Sequence, residues 1–305
     1  MKENEAPDLS VVIVSWNTRE LLARCIDSLC ADAVTSGLAL QVIVVDNASS
    51  DGTVDMLSEC FPSINVVSLM ENSGFAAATN TGIERAQAGD ILLLNPDTEL
   101  LPGALTAMRL ALHATPHTGL VSGILLNPDR SIQSAGYRFP TLTQSFLDFF
   151  PLHDRLVVSS LNGRYSSGDG LSPYAVDHPL GACMLVRRDA IDQIGLLDDK
   201  YFMYSEEIDW CRRIAAGGWT VLIAPAARII HYGGQSTRQA SDAMFVQLHR
   251  SRARYFAQYH SRAYLHAVER LASAASWWAG RRDEAQARRL REVAGIYRAA
   301  RGDHA

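Results

Sequence analysis

Short apolar runs closed by polar residues recur through the first 125 positions of the chain. They fall at Leu9 to Ser15, Leu40 to Asp46, and near 64–69, 90–95 and 119–125. Runs this short and this continuous are the mark of strands buried on both faces of a sheet. Helical spacing fills the intervals 18–30, 53–60, 74–87 and 102–115. Strands alternating with helices predict parallel βαβ units joined by right-handed crossovers. The stretch 126–175 is irregular, with turn signals at Asn127-Pro128-Asp129, Phe139-Pro140 and Ser166-Ser167-Gly168-Asp169-Gly170. It reads as loops and short helices near a cleft mouth. Its aromatics Tyr137, Phe139, Phe146, Phe149 and Phe150 either line a substrate site or pack under the loop, with packing the more common role for such residues.

Order resumes between Val176 and Val186, where Gly181 to Val186 predicts a buried strand, followed by a short helix near 188–194. Tyr201 to Arg213 leads into a helix that stops at Gly217-Gly218. Two strands follow, Thr220 to Ala224 and Ala227 to His231, and from about Ser241 to Ala305 the pattern is helical. The expected organisation is an α/β domain over 1–240 and a helical extension over 241–305.

The ends of the strands carry the chemistry. Ile91 to Asn95-Pro96-Asp97 is an apolar strand that stops on a carboxylate, and Val42 to Asp46 is another. The first strand ends in Ser15-Trp16-Asn17. In open α/β sheets the ligand crevice lies at the carboxyl ends of the strands. An unpaired carboxylate there is costly unless it meets a cation or a donor. Asp97 either does so or caps the helix that follows Pro102. No Gly-x-Gly-x-x-Gly follows the first strand and no Gly-x-x-x-x-Gly-Lys-Ser/Thr occurs, which argues against a dinucleotide oxidoreductase or a P-loop NTPase. A nucleotidyltransferase would need a Gly-rich basic loop after the first strand, and Ser15-Trp16-Asn17-Thr18-Arg19 is not one.

A net charge of -5 argues against nucleic acid as a partner. The charge is uneven: from Arg250 onward there are twelve Arg against five Asp plus Glu. Five scattered Cys without a Cys-x-x-Cys pair suit a reducing compartment and argue against structural zinc. Residues 1–8 are polar and no apolar stretch reaches spanning length, so a cytoplasmic protein is expected, with any membrane contact peripheral.

Glu206, Glu207 and Asp209 open a helix directly after the aromatic stretch Tyr201-Phe202-Met203-Tyr204. The helix dipole favours acidic residues there. Aromatic walls would also raise a carboxyl's pKa toward that of a general base. His231 ends its strand as Asp97 follows its own.

With these residues in view, the chain resembles the inverting nucleotide-sugar glycosyltransferases of family 2, and within them the bacterial rhamnosyltransferase-like branch. The resemblance runs from about Leu9 to Thr237. It is carried by Val11 to Asn17, Val44 to Thr53, Glu71-Asn72-Ser73-Gly74-Phe75 with Asn80, and Leu94 to Asp97. It continues through Gly181 to Leu185, Glu206 to Cys211, and His231-Tyr232-Gly233-Gly234.

The resemblance implies the GT-A fold, a Rossmann-like, mostly parallel sheet flanked by helices. It implies that Asp46 accepts the N3–H of a uracil or thymine ring, with Ser15 and Asn17 near the base and ribose. Asn72, Gly74 and Asn95 join the nucleotide-sugar site. Asp97 stands at the last position of the metal motif, where it would hold Mg²⁺ or Mn²⁺ on the diphosphate, and His231 completes the metal site. Gly181, Ala182 and Asp209 fall on the acceptor side. The general base maps onto Glu207. The first metal-motif position is Asn95 rather than Asp, and the base position is Glu rather than Asp, so either Glu207 or Glu206 serves as the base. The implied reaction is a single displacement from a nucleoside-diphosphate sugar to a glycan or lipid-linked glycan hydroxyl. dTDP-L-rhamnose is the first candidate donor and UDP- or GDP-sugars come next. The two departures also keep open a nucleotide-sugar binding module that has lost catalysis. In the tail, Arg250, Arg252 and Arg254 flank Tyr255-Phe256, with Trp277-Trp278 further on. Such pairing of basic and aromatic residues fits packing across the catalytic domain, a homodimer interface, or peripheral membrane contact through the C-terminal helices.

Overall fold

The computed structural model describes residues 6–302 except 135, 151, 158, 166–169 and 234–240. Strands β1 (Leu9–Ser15), β2 (Leu40–Asp46), β3 (Asn65–Ser68) and β4 (Asp90–Leu94) form where the apolar runs predict them. They lie parallel, with β1 between β2 and β4 and with β3 outside β2. Helices α1 (Arg19–Ser36), α2 (Thr53–Cys60) and α3 (Phe75–Ile83) make the crossovers.

The second half of the sheet departs from simple alternation. Strand β9 (Cys183–Arg187) enters antiparallel between β4 and β6 (Thr118–Leu126). Strand β10 (Thr220–His231) pairs parallel with β6, and β5 (Thr98–Leu100) closes the edge antiparallel to β10. Among the described residues, the sheet runs β3-β2-β1-β4-β9-β6-β10-β5. Two short strands, β7 (Ile132–Ser134) on β6 and β8 (Tyr174–Ala175) on β10, extend it. The strand expected over Gly181 to Val186 is present as Cys183–Arg187. The two strands expected at 220–231 are one strand with a shift of register between Ala224 and Arg228. Pro225 sits in that shift, where its missing N–H costs no ladder bond. Gly123 permits it, because a Cβ there would lie 2.5 Å from the Ala227 carbonyl oxygen.

Successive side chains of a strand face opposite ways, and this splits the core into two layers. Leu9, Val11 and Ile13 face α1, α2 and α4 (Ala104–His113). Val12 and Val14 face α3, α7 (Arg188–Ile194) and α8 (Glu206–Ala216). Side chains as completely buried as Leu9, Leu22, Ile26 and Trp210 each contribute about 1.5–3 kcal/mol. Helices α5 (Leu142–Phe149) and α6 (Asp154–Val157) lie in the irregular stretch. The expected boundary at 240/241 falls beside residues that are not described. Beyond it, α9 (Ser241–Tyr259), α10 (Arg262–Ala279) and α11 (Glu284–Gly302) pack on one another and enclose Tyr201 from the α/β part. Tyr255 and Phe256 are 1% exposed inside that cluster. Their flanking arginines are committed to Asp148 and Asp198, with Arg250 reaching Glu292 at 3.9 Å. Of the alternatives open for that segment, packing is the one these contacts show.

Candidate active site

Because β9 runs against its neighbours, its first residues lie beside the last of β4, where Cys183 pairs with Leu94. The carboxyl ends of β1, β2, β4 and β10 and the entry to β9 thus share one edge. A cleft of about 520 Å³ opens there, a size ordinary for small-molecule sites. Asn72, Gly74, Asn95, Asp97, Gly181, Ala182, Glu206, Glu207 and His231 all line it. Another depression of about 720 Å³, between α9 and α11, holds none of them, and its Arg254 and Asp198 pair with each other at 2.6 Å.

Asp46 is 2% exposed and sits behind the wall at the end of β2. Its Oδ2 accepts from the Ser49 N–H at 3.1 Å, whereas Oδ1 is buried without a partner. An orphaned carboxylate oxygen at a ligand edge is a ready acceptor for one donor. Ser15 and Asn17 do not reach the cleft. The Ser15 hydroxyl is fully buried against that of Thr18, and Asn17 ties the two neighbouring loops through Ser49 and Ser50. Trp16 between them does line the cleft. Asn47 Nδ2 donates to Asn72 Oδ1, and Asn47 Oδ1 accepts from the Ser73 N–H, which fixes the loop that carries Gly74. Gly74 has φ +85° and lies under Phe202, so that a Cβ would come 2.4 Å from the Phe202 carbonyl oxygen. The same carbonyl accepts from the Phe75 N–H at 2.7 Å.

Asp97 and His231 meet across the β5–β10 edge, with His231 Nε2 3.5 Å from Asp97 Oδ1. Both are buried. His231 Nδ1 bonds Gln133 Oε1 at 2.7 Å. The orientation of the Gln133 amide is set by its Nε2, which donates to Asn127 Oδ1 and to the His231 carbonyl, each at 3.2 Å. Its Oε1 can therefore only accept, so the proton sits on His231 Nδ1. Beside them, Asn95 Oδ1 is buried without a partner, while its backbone N–H is held by Ala182 O at 2.8 Å. An imidazole nitrogen, a carboxylate and a free carboxamide oxygen on one wall form a donor set that fits a divalent cation. No cluster of three or more His, Cys, Asp and Glu with metal-binding placement occurs among the described residues. Further ligands would thus come from a diphosphate and water.

Glu206 and Glu207 open α8 after Tyr204 and Ser205, which carry φ +69° and +67°. Two successive non-glycine residues in the left-handed region are costly, and such strain collects at functional sites. Here the sharp entry sets the start of α8 against the cleft. Glu206 is 6% exposed; Glu207 is more open and packs 3.4 Å from where a Gly181 Cβ would be. Each has an Oε2 that is buried and unpartnered. Burial raises both carboxyls above the ordinary range, and Glu206 is raised further by the neighbouring Glu207. Burial pushes Glu207 to about 7, against the pull of backbone N–H groups at the start of α8 and of Arg252. The two carboxyls therefore titrate as a pair, above the ordinary carboxylate range.

Asp209, placed on the acceptor side by its motif, does not face the cleft. It is fully buried, with Arg213 Nε at 2.8 Å and the Tyr259 hydroxyl at 2.6 Å on its two oxygens. It ties α8 to α9. The loop aromatics also pack: Tyr137 and Phe139 stack on His178, and Phe149 stacks on His249. The cleft's aromatic walls are Trp16, Phe75, Phe202 and Tyr204. Gly234, the last residue of the His231 motif, lies outside the described residues. Gln133 was not foreseen, since it meets His231 across 98 positions and local sequence carries no sign of it.

Residues 10–195 match the family model described as Glycosyl transferase family 2. The N-acetylglucosaminyl-diphospho-decaprenol L-rhamnosyltransferase of Mycobacterium tuberculosis is 27% identical over 269 residues, covering 83% of this chain and 85% of that one. Rhamnosyltransferase WbbL of Escherichia coli is 25% identical, covering 81% and 92%. Among solved structures, the mannosyltransferase PcManGT of Pyrobaculum calidifontis, in complex with GDP-Man and Mn²⁺, has a TM-score of 0.57 at 18% identity. It covers 97% of this chain and 76% of that one. GalNAc-T7 with UDP, GalNAc and Mn²⁺ has a TM-score of 0.54 at 15% identity, covering 75% and 44%. The fold they share is GT-A.

Proposed function

The chain belongs to glycosyl transferase family 2, and from that premise we propose that it is an inverting, metal-assisted transferase of L-rhamnose from dTDP-L-rhamnose to a hydroxyl of a lipid-linked glycan. The observation that carries this reading is that buried, unpartnered oxygens of Asp46, Asn95, Glu206 and Glu207 gather at one sheet edge. Asn95, with the Asp97–His231 pair beside it, and the Glu206–Glu207 pair line the cleft, and Asp46 sits just behind its wall at the base end. The order matches a nucleoside, a diphosphate and a reacting sugar laid along the sheet edge. The rhamnosyltransferase relatives, matched over most of their length, support the choice of donor.

Asp46 Oδ1 accepts the N3–H of the pyrimidine. Asp97, His231 and Asn95 would hold the divalent cation. Mn²⁺ suits an imidazole-containing set better than Mg²⁺, which prefers oxygen ligands throughout. Mn²⁺ also accompanies the nucleotide in both structural neighbours. When bound, the ion neutralises charge on the departing diphosphate. Glu207 takes the proton of the acceptor hydroxyl, the freed oxygen bonds to the anomeric carbon, and the glycosidic electron pair leaves with the diphosphate. One displacement inverts the carbon, and no enzyme nucleophile takes part. In this reading the proton the pair retains sits on Glu206, which donates a hydrogen bond to the sugar or the acceptor.

The test is a donor panel with purified protein, scoring nucleoside diphosphate release with and without acceptor and with and without Mn²⁺. Acceptor-dependent release from dTDP-L-rhamnose is expected. Release from a UDP- or GDP-sugar instead would overturn the donor, and no release from any sugar nucleotide would overturn the reading as a whole.

A further inference from the structure

Trp277 and Trp278, at the carboxyl end of α10, are 65% and 55% exposed. The Arg281 guanidinium lies 3.5 Å from the Trp277 ring centroid and 5.9 Å from that of Trp278. Arg282 follows, and neither arginine has an ion-pair partner among the described residues. Phe150 packs on the Ala275 and Ala279 cluster of the same helix end, and its ring lies 5.2 Å from that of Phe146, itself 38% exposed. The result is an apolar patch edged by two unpaired cations, not the scattered exposure normal for a surface.

We propose that this end of α10, with Phe146, is the surface by which the protein docks on an anionic lipid bilayer. Tryptophan rings settle at the headgroup level, and arginines beside them meet lipid phosphates. A second copy of the chain is a poorer occupant. Isologous pairing would bring the unpaired arginines of both copies together, and the nearest carboxylates are engaged elsewhere. Asp283 accepts from the Ala285 and Gln286 N–H groups, and Glu284 pairs with Arg291.

The patch is also next to the cleft. Met244 lines the cleft, and the next residue, Phe245, packs with Phe149 and Phe150 on the α10–α11 cluster. A lipid-linked acceptor could thus keep its tail in the bilayer while its sugar reaches Glu207. That purpose rests on the acceptor class proposed above, whereas the docking itself does not. No helix of the described residues is long and apolar enough to span a bilayer, so the contact is interfacial.

The experiment is co-sedimentation of the full chain with vesicles of phosphatidylcholine, with and without phosphatidylglycerol, in the absence of donor and acceptor. Tryptophan emission is read alongside. The wild type should bind the anionic vesicles with a blue shift that fades as salt rises. Arg281→Gln with Arg282→Gln should weaken partition about 25-fold, at about fivefold per arginine. Trp277→Ala with Trp278→Ala should abolish measurable binding while leaving transfer to a water-soluble acceptor unchanged. Wild-type protein that stays in the supernatant, or variants that bind like it, would overturn the proposal. So would a tryptophan variant that changes only from dimer to monomer in analytical ultracentrifugation. Transfer to the soluble acceptor, measured separately, reports on the catalytic reading and can fail independently.

Discussion

Replacing Gln133 by Leu removes the acceptor that holds the His231 Nδ1 proton while leaving every proposed metal ligand in place. The side chain makes three hydrogen bonds, at 2.7 Å to His231 Nδ1 and at 3.2 Å to the His231 carbonyl and to Asn127 Oδ1. Each contributes about 1 kcal/mol net to folding, so a modest fall in Tm accompanies the change. The larger consequence is for the cation. Without Gln133 the imidazole can place its proton on Nε2, the nitrogen that faces Asp97. Loss of an outer partner of a metal-binding histidine costs roughly 10- to 100-fold in affinity. Burial of His231 in β10 still holds the ring in place, and this sets the expectation near the lower end, roughly tenfold or about 1.4 kcal/mol. Gln133→Glu keeps an acceptor toward Nδ1 but sets an oxygen against the Asn127 and His231 oxygens that the amide donates to, so its affinity should fall between those of Gln133→Leu and wild type. The assay is titration of Mn²⁺ by the electron paramagnetic resonance signal of the free ion, with nucleoside diphosphate present and no transfer required. A Gln133→Leu protein that binds Mn²⁺ as tightly as wild type, or a Gln133→Glu protein no better than Gln133→Leu, would refute the reasoning.

The transfer rate should rise with pH through an apparent pKa near 7 and then level, because the ionised Glu207 is the active base and burial has raised its pKa. A rate limb near the ordinary Glu value would remove Glu207 from that role. The same shift makes folding stability fall as pH rises from the ordinary Glu range to about 7, since the folded state keeps protons that the unfolded chain has lost. Chemical denaturation across that window checks the sign. Asp209→Ala should cost about 3 kcal/mol, the lower end for breaking a buried pair, since Arg213 retains the Ile194 and Leu196 carbonyls. Donor affinity of the folded fraction should not change, and a selective loss of acceptor binding would return Asp209 to the cleft. Asp46→Ala should weaken donor binding by roughly 10-fold or more, as expected for a buried charged hydrogen bond worth about 1.5–3 kcal/mol. Equal affinity for the donor by calorimetry would sever Asp46 from the base.

The half of the sheet built from β1 to β4 was legible because each strand is an apolar run ended by a polar residue. That pattern also gave the edge on which Asp46, Asp97 and His231 lie. The position of β9 was not legible. A strand buried on both faces looks alike in either direction, so Cys183 to Arg187 carried no sign that it would enter antiparallel between β4 and β6. That insertion brings Gly181 and Ala182 to the cleft. The acidic helix start pointed to Glu206 and Glu207, but it also pointed to Asp209, and only three-dimensional packing shows that Tyr259 and Arg213 consume it. Arginines beside Tyr255 and Phe256 resembled an interfacial motif; their carboxylate partners lie more than forty positions away in all three pairs. Gln133 was invisible for the same reason.

The central claim is that Glu207 is the proton acceptor in a cleft whose donor site works without it. The measurement that tests it most directly is the transfer rate of Glu207→Gln alongside its affinity for the sugar nucleotide. Glutamine keeps the shape and removes the base, so transfer should fall by roughly 10²–10⁴-fold with donor affinity close to wild type. Near-normal transfer by Glu207→Gln, with the loss appearing in Glu206→Gln instead, would contradict the account.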